Sequence, residues 1–122
     1  MLVFDAVILN EDRHFGNFGF LIDNKSNKIV GCAPIFDNGV SLLCYAMDDN
    51  FKNIDQYIQT RLPATYQDFI TFVKPRMTKI KKEKLRKLIG LKFENHHKYR
   101  LPKKRRKYLE EIIQKRVLEL LE

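Results

Sequence analysis

The chain has 122 residues and a formal net charge of +8, enough for one domain that buries somewhat over about 60% of its unfolded surface. Its hydrophobic share is 44% and it has no Trp, a globular composition. No apolar run approaches the roughly 20 residues needed to cross a bilayer, which excludes a membrane-spanning helix.

In chain order, Leu2-Val3-Phe4-Asp5-Ala6-Val7-Ile8-Leu9 reads as the last turns of a helix with no capping residue in front of it. Met1 is therefore expected to lie inside what is elsewhere a longer helix. The run has no basic leader and no small-residue cleavage site, so no signal peptide is expected. Phe18 to Ile22 and Ile29 to Ala33 read as strands, joined through the turn formers Asp23-Asn24-Lys25-Ser26-Asn27. Val40 to Tyr45 is apolar and is expected to pack beneath the site. Asp48-Asp49-Asn50 is a loop signal, and Ile54 to Ile58 fits a short helix or a strand. Thr65 is a candidate N-cap for a helix carrying Phe69, Phe72 and Val73, which Pro75 closes. Lys79 to Leu91 predicts a second helix with Ile80, Leu85, Leu88 and Ile89 on its inner stripe and Gly90 near its end. Leu91 and Phe93 are expected inside, and Asn95 to Arg100 is a polar connection. Pro102 opens a last helix whose inner face is Leu109, Ile112, Ile113, Val117, Leu120 and Leu121. Cys32 and Cys44 lack metal spacing and are expected to be buried reduced thiols of a cytoplasmic protein. The fold class expected is α+β, mainly helical, in a single domain 1–122.

Charge divides the chain. Residues 1–73 hold five Lys or Arg against nine Asp or Glu, a net −4; residues 74–122 hold eighteen against six, a net +12. An acidic first half, with the chemistry-bearing segments in 1–47, precedes a basic helical part, 63–122.

The chemistry concentrates in Asn10-Glu11-Asp12-Arg13-His14-Phe15-Gly16-Asn17 and in Asp37, within Pro34-Ile35-Phe36-Asp37-Asn38-Gly39. A hairpin folds its outer ends together, with paired backbones about 5 Å apart. Asn17 and Asp37 are then neighbours, with Asp12 on the loop just before. Two carboxylates and an amide can hold a divalent cation and accept a proton, the needs of phosphoryl transfer. Asp37 and the amide oxygen of Asn17 suit magnesium, and Asp12 suits a base that takes a hydroxyl proton.

Asp12-x-His14-x-x-Asn17 followed by Pro34-Ile35-Phe36-Asp37-Asn38-Gly39 resembles the catalytic and metal-binding segments of HipA-like serine/threonine kinases, bacterial enzymes of which several act as toxins. The resemblance implies a protein-kinase-like C-terminal lobe, with Asp12 as the catalytic aspartate and Asn17 and Asp37 as the Mg2+ ligands for ATP. His14 assists proton transfer or, as the favoured reading, supports the loop. Asp12-Arg13-His14 also resembles the catalytic loop of phosphatidylinositol kinases, but those usually continue to Asp-Phe-Gly where this chain has Asp37-Asn38-Gly39. The phosphate-covering loop and lysine of such kinases have no match before Asp12. The chain is thus expected to be a C-terminal lobe without its N-terminal lobe, inactive or weakly active by itself. A separate N-lobe polypeptide or antitoxin-like protein and a protein substrate are the expected partners. A small-molecule or lipid kinase of related fold ranks lower.

Each residue also has a plainer reading. Asp12, Asn17 and Asp37 are types that commonly fill turns. Arg13 suits a phosphate or a neighbouring acid, and Gly16 and Gly19 suit tight turns, since no Lys-Ser/Thr follows them. Lys103-Lys104-Arg105-Arg106-Lys107 is either a solvated helix face or a nucleic-acid contact. Its cations oppose a helix dipole, so either the helix starts late or the run serves something outside the fold. In the latter case the chain is a non-catalytic binding module derived from a kinase lobe. His96-His97 is not expected to hold a metal, for want of a third ligand.

Overall fold

The computed structural model describes all 122 residues, Met1–Glu122. It is a small, mainly helical α+β arrangement of five helices and one two-stranded antiparallel sheet: α1 (Leu2–Ile8), β1 (Phe20–Asp23), β2 (Lys28–Cys32), α2 (Ile54–Gln59), α3 (Phe69–Val73), α4 (Lys79–Arg86) and α5 (Lys103–Leu121). Short 3-10 turns at Phe15–Asn17, Asp48–Lys52 and Lys74–Arg76 fill the connections. No helix is long and apolar enough to cross a membrane.

The core forms where α5 receives α1, α3, α4 and α2. One buried apolar cluster takes Ala6 to Leu9 from the start of the chain, Phe69 and Val73 from α3, Leu85 from α4, and Ile112, Ile113, Val117 and Leu120 from α5. The helical spacing of these α5 residues gives a single stripe, as their sequence predicts. Only 23 of 122 residues are buried, so the core is small and individual polar ties weigh heavily in it. Two aromatic contacts extend it: Phe51 stacks on Tyr108 at 4.8 Å, and Tyr66 stacks on Phe72 at 4.4 Å.

The hairpin projects from this core. Its strands pair Phe20 with Cys32 and Asp23 with Lys28, and a register shift lies between Leu21 and Ile22. The ladder sits slightly further along β1 than the apolar pattern predicts. Phe18 and Gly19 precede it, although Ala33 N–H still donates to Gly19 O at 2.9 Å. Asp23 closes the turn by accepting from Ser26 N–H and Ser26 Oγ, and these bonds hold its carboxyl below the usual range. Phe20, Leu21, Ile22, Ile29 and Val30 are all exposed, so neither face of the hairpin is packed.

Several local expectations change. Cys32 and Cys44 are free and exposed; one lies on the uncovered hairpin, the other in a surface turn, so neither is the buried thiol expected. Asp48-Asp49-Asn50 is a 3-10 turn rather than an open loop, because Asn50 Oδ1 accepts from Met47 N–H at 2.8 Å. Ile54 to Gln59 is helical, capped by Asn53 Oδ1 on Gln56 N–H. α3 starts three residues later than a Thr65 cap implies. The carboxylate of Asp68 accepts from both Ile70 and Thr71 N–H at 2.8 Å, taking two orphan donors where one hydroxyl takes one. α4 ends at Arg86 and Gly90 adopts φ +79°; Ile80 and Ile89 are exposed, so the predicted inner stripe reduces to Leu85 with half-buried Leu88. Of Val40 to Tyr45 only Leu43 is buried, while Cys44 and Tyr45 face solvent.

Candidate active site

α1 delivers the chain to the site. Leu9 ends it in the left-handed region (φ 54°), an uncommon conformation for a branched side chain. The segment after it is tied down by backbone bonds: Leu42 N–H donates to Ile8 O at 2.7 Å, Glu11 N–H to Val40 O at 3.0 Å, and Ala64 N–H to Glu11 O at 2.8 Å. Glu11 pairs with Arg61 at 3.0 Å, and Thr65 Oγ1 donates to Arg13 O at 3.3 Å. The loop of Asp12 is thus held between the 40–42 and 61–65 segments.

Arg13 is the hub. It is 3% exposed and its partner Asp5 is fully buried in α1. Arg13 Nε donates to Asp5 Oδ2 at 3.1 Å and Nη2 to Asp5 Oδ1 at 2.9 Å, a bidentate pair. Its Nη1 donates to Asn17 O at 2.8 Å and to Phe36 O at 2.7 Å, and Nη2 also reaches Asn38 Oδ1 at 2.6 Å. Asn10 Nδ2 completes the surroundings of Asp5 at 3.1 Å. One guanidinium therefore grips both ends of the hairpin, next to Asn17 on one side and Asp37 on the other. The Asn38 contact also explains why an acceptor follows Asp37; a Phe there offers Arg13 none.

Asn17 and Asp37 meet. Asn17, buried to 4% exposure, donates from Nδ2 to Asp37 Oδ2 at 3.1 Å and to Asp12 O at 3.1 Å. With both hydrogens so placed, Asn17 Oδ1 is left for another donor or a cation. Asp37 has φ 54°, a left-handed conformation that Asp tolerates better than most residues. Its carboxylate and that of Asp12 are on exposed residues. The side-chain set is one amide and one adjacent carboxylate with Asp12 on the same loop; its oxygens are of the hard type that Mg2+ accepts, and it is the Asn17 N–H rather than Oδ1 that faces Asp37 Oδ2. No group of three or more His, Cys, Asp or Glu is placed to hold a metal ion, here or elsewhere in the chain.

His14 caps the turn Phe15–Asn17: its Nδ1 accepts from Gly16 N–H at 3.1 Å. This bond positions the loop, the role favoured for it from sequence. Gly16 lies close under that ring: an added Cβ meets His14 Cε1 at 3.0 Å, so a larger residue shifts the imidazole by a few tenths of an ångström. At Gly19 an added Cβ meets nothing within 4 Å and φ is ordinary, so no conformational need for glycine exists there. Beside His14, a cleft of about 290 Å3 is lined by Arg13, Phe15, Phe18 and Tyr66 among others. Burial pushes the Tyr66 hydroxyl up to about 12, so it is a neutral phenol and no base. Asp12, Asn17 and Asp37 line none of the four principal clefts; Asp12 and Asp37 are exposed and Asn17 is buried behind them in the loop.

The basic run is not all solvated. α5 begins at Lys103 itself, so the helix does not start late. Arg105 donates to Leu43 O and Arg106 to Asn95 Oδ1, and Lys104 and Arg105 lie over the Phe51 ring at 5.4 and 5.9 Å. Charge burial was the feature hidden in sequence: Asp5, Arg13, Glu110 and Arg116 are all buried. Asp5 had one visible signal, a lone acid inside an apolar helical run, which must find a partner if that run is buried. No protein-family model matches the chain, and neither a curated protein nor a solved structure matches it.

Proposed function

We propose that this chain is the C-terminal portion of a HipA-like protein kinase, moving the γ-phosphoryl group of ATP to a Ser or Thr hydroxyl in the cytoplasm. The observation that carries the reading is the double donation of Asn17 to Asp12 O and Asp37 Oδ2, each at 3.1 Å, which joins three residues spread over 26 positions of sequence. Asp37 and Asn17 Oδ1 would hold Mg2+, which when bound neutralises charge on the phosphate oxygens. Asp12, exposed on a loop fixed from both sides, orients the acceptor hydroxyl and takes its proton as the new O–P bond forms and ADP leaves. His14 acts through the loop as a positioning residue, and Arg13 positions both metal ligands at once. Residues outside 1–122, in the same or another polypeptide, supply the loop and lysine that cradle the ATP phosphates.

Mn2+ titration of the 15N-labelled chain tests the site directly. Paramagnetic broadening is expected to centre on the Asn17 side-chain amide and the Asp37 backbone amide, and to vanish in Asp37→Asn. Broadening elsewhere, or unchanged in that variant, overturns the metal assignment. Robust protein phosphorylation by the 122 residues alone would overturn the need for an additional phosphate cradle.

A further inference from the structure

At the N-terminal end of α5, Lys92, Lys103, Lys104, Arg106 and Lys107 surround a cleft of about 630 Å3 together with Glu110. Glu110 pairs with Lys92 alone among them, and its carboxylate is fully committed. One oxygen takes Lys92 Nζ at 2.8 Å and the other takes Phe93 N–H at 3.0 Å. Lys103, Lys104 and Lys107 form no ion pair. Lys103 and Lys104 also stand in the first turn of α5, where the helix dipole is positive, so the folded chain keeps two cations in a place that repels them. At about 630 Å3 the cleft is too large for a lone ion.

The adjoining segment adds flat rings. Arg106 ties Asn95 to α5, and the loop that follows carries His96 stacked on Tyr99 at 5.5 Å, with Lys98 over the Tyr99 ring at 5.3 Å. Tyr99, four residues before Lys103, is 71% exposed. Cations that track phosphates beside exposed aromatic faces are the elements of single-strand binding, where bases stack on rings without sequence readout.

We propose that this cleft binds the backbone of a single nucleic-acid strand, with Lys103, Lys104 and Lys107 on phosphates and a base taking the place of Lys98 over the exposed Tyr99 ring. The site lies apart from Asp12, Asn17 and Asp37 and does not depend on the kinase reading.

The test is fluorescence anisotropy of the full chain with a labelled oligothymidylate and a duplex of equal length, across a salt series. Single-strand binding is expected, weakened about tenfold in the Lys103→Ala, Lys107→Ala double variant. The slope of log affinity against log salt should flatten by about 1.4, at ~0.7 for each phosphate no longer neutralised. Lys25→Ala with Lys28→Ala removes the same charge from the hairpin and should change affinity less than about twofold. Asp12→Ala with Asp37→Ala should leave binding intact. Without oligonucleotide, the Lys103, Lys107 variant is expected to melt higher than the parent, which also shows that it folds. Absence of single-strand binding, tighter binding of the duplex, or equal loss in the two lysine pairs overturns the proposal.

Discussion

Arg13 spends its charge inside the protein, on Asp5 and on three acceptors that flank Asn17 and Asp37. Removing it strands a fully buried carboxylate, a change that typically costs about 3–5 kcal/mol. Against the ~5–15 kcal/mol of a whole small domain, Arg13→Ala is expected to remove a large share of the chain's stability, measurable by urea titration. Asp37 offers a finer test. Both Asp37→Gly and Asp37→Ala remove the acceptor for Asn17 Nδ2, but only Ala retains a Cβ at φ 54°. Asp37→Gly should therefore be about 1 kcal/mol more stable than Asp37→Ala, with metal broadening abolished in both. Arg13 also shows what one-dimensional reading misses. Its acceptors lie between 4 and 25 residues away, and a charged side chain is by default assigned to solvent.

Among the elements, α3 and α5 make the clearest predictions. Asp68→Ala should cost about 1 kcal/mol in thermal or chemical unfolding, because two amide donors of α3 lose their acceptor, whereas Thr65→Ala should cost less. The tie between the 92–93 segment and α5 depends on pH. The ammonium of Lys92 and the N–H of Phe93 hold the Glu110 carboxyl below its ordinary 4.5. Its stabilisation is thus fully present above that value and is lost as pH falls through the lower folded one. The unfolding midpoints of parent and Glu110→Gln should differ near neutral pH and converge in acid; a constant gap would contradict the assignment. The helical stripe of α5 was legible because apolar spacing and burial coincide there. The stripe of α4 was not, because Ile80 and Ile89 share its pattern but lie beyond the reach of the core.

Over the whole molecule, the −4 and +12 halves do not separate in space, since α1 packs against α5. With +12 against −4, self-repulsion within the basic half is expected to outweigh attraction between the halves. The melting temperature is expected to rise as salt increases toward about 0.15 M, where the screening length falls to ~8 Å. A fall over that range would mean that cross-half attraction is the larger contribution.

By itself, the sequence determined the helical character of α1, α3, α4 and α5, the hairpin, the apolar stripe of α5 and the residues worth testing, because these follow from periodicity, turn chemistry and spacing along one chain. Tertiary structure alone decided that Arg13 is an internal clamp, that Asp68 rather than Thr65 starts α3, that both cysteines are exposed, and that Asn17 reaches Asp37. The reason is physical: burial and hydrogen-bond geometry are set by segments distant in order, and a side chain's role follows from whichever partner folding brings within about 3 Å.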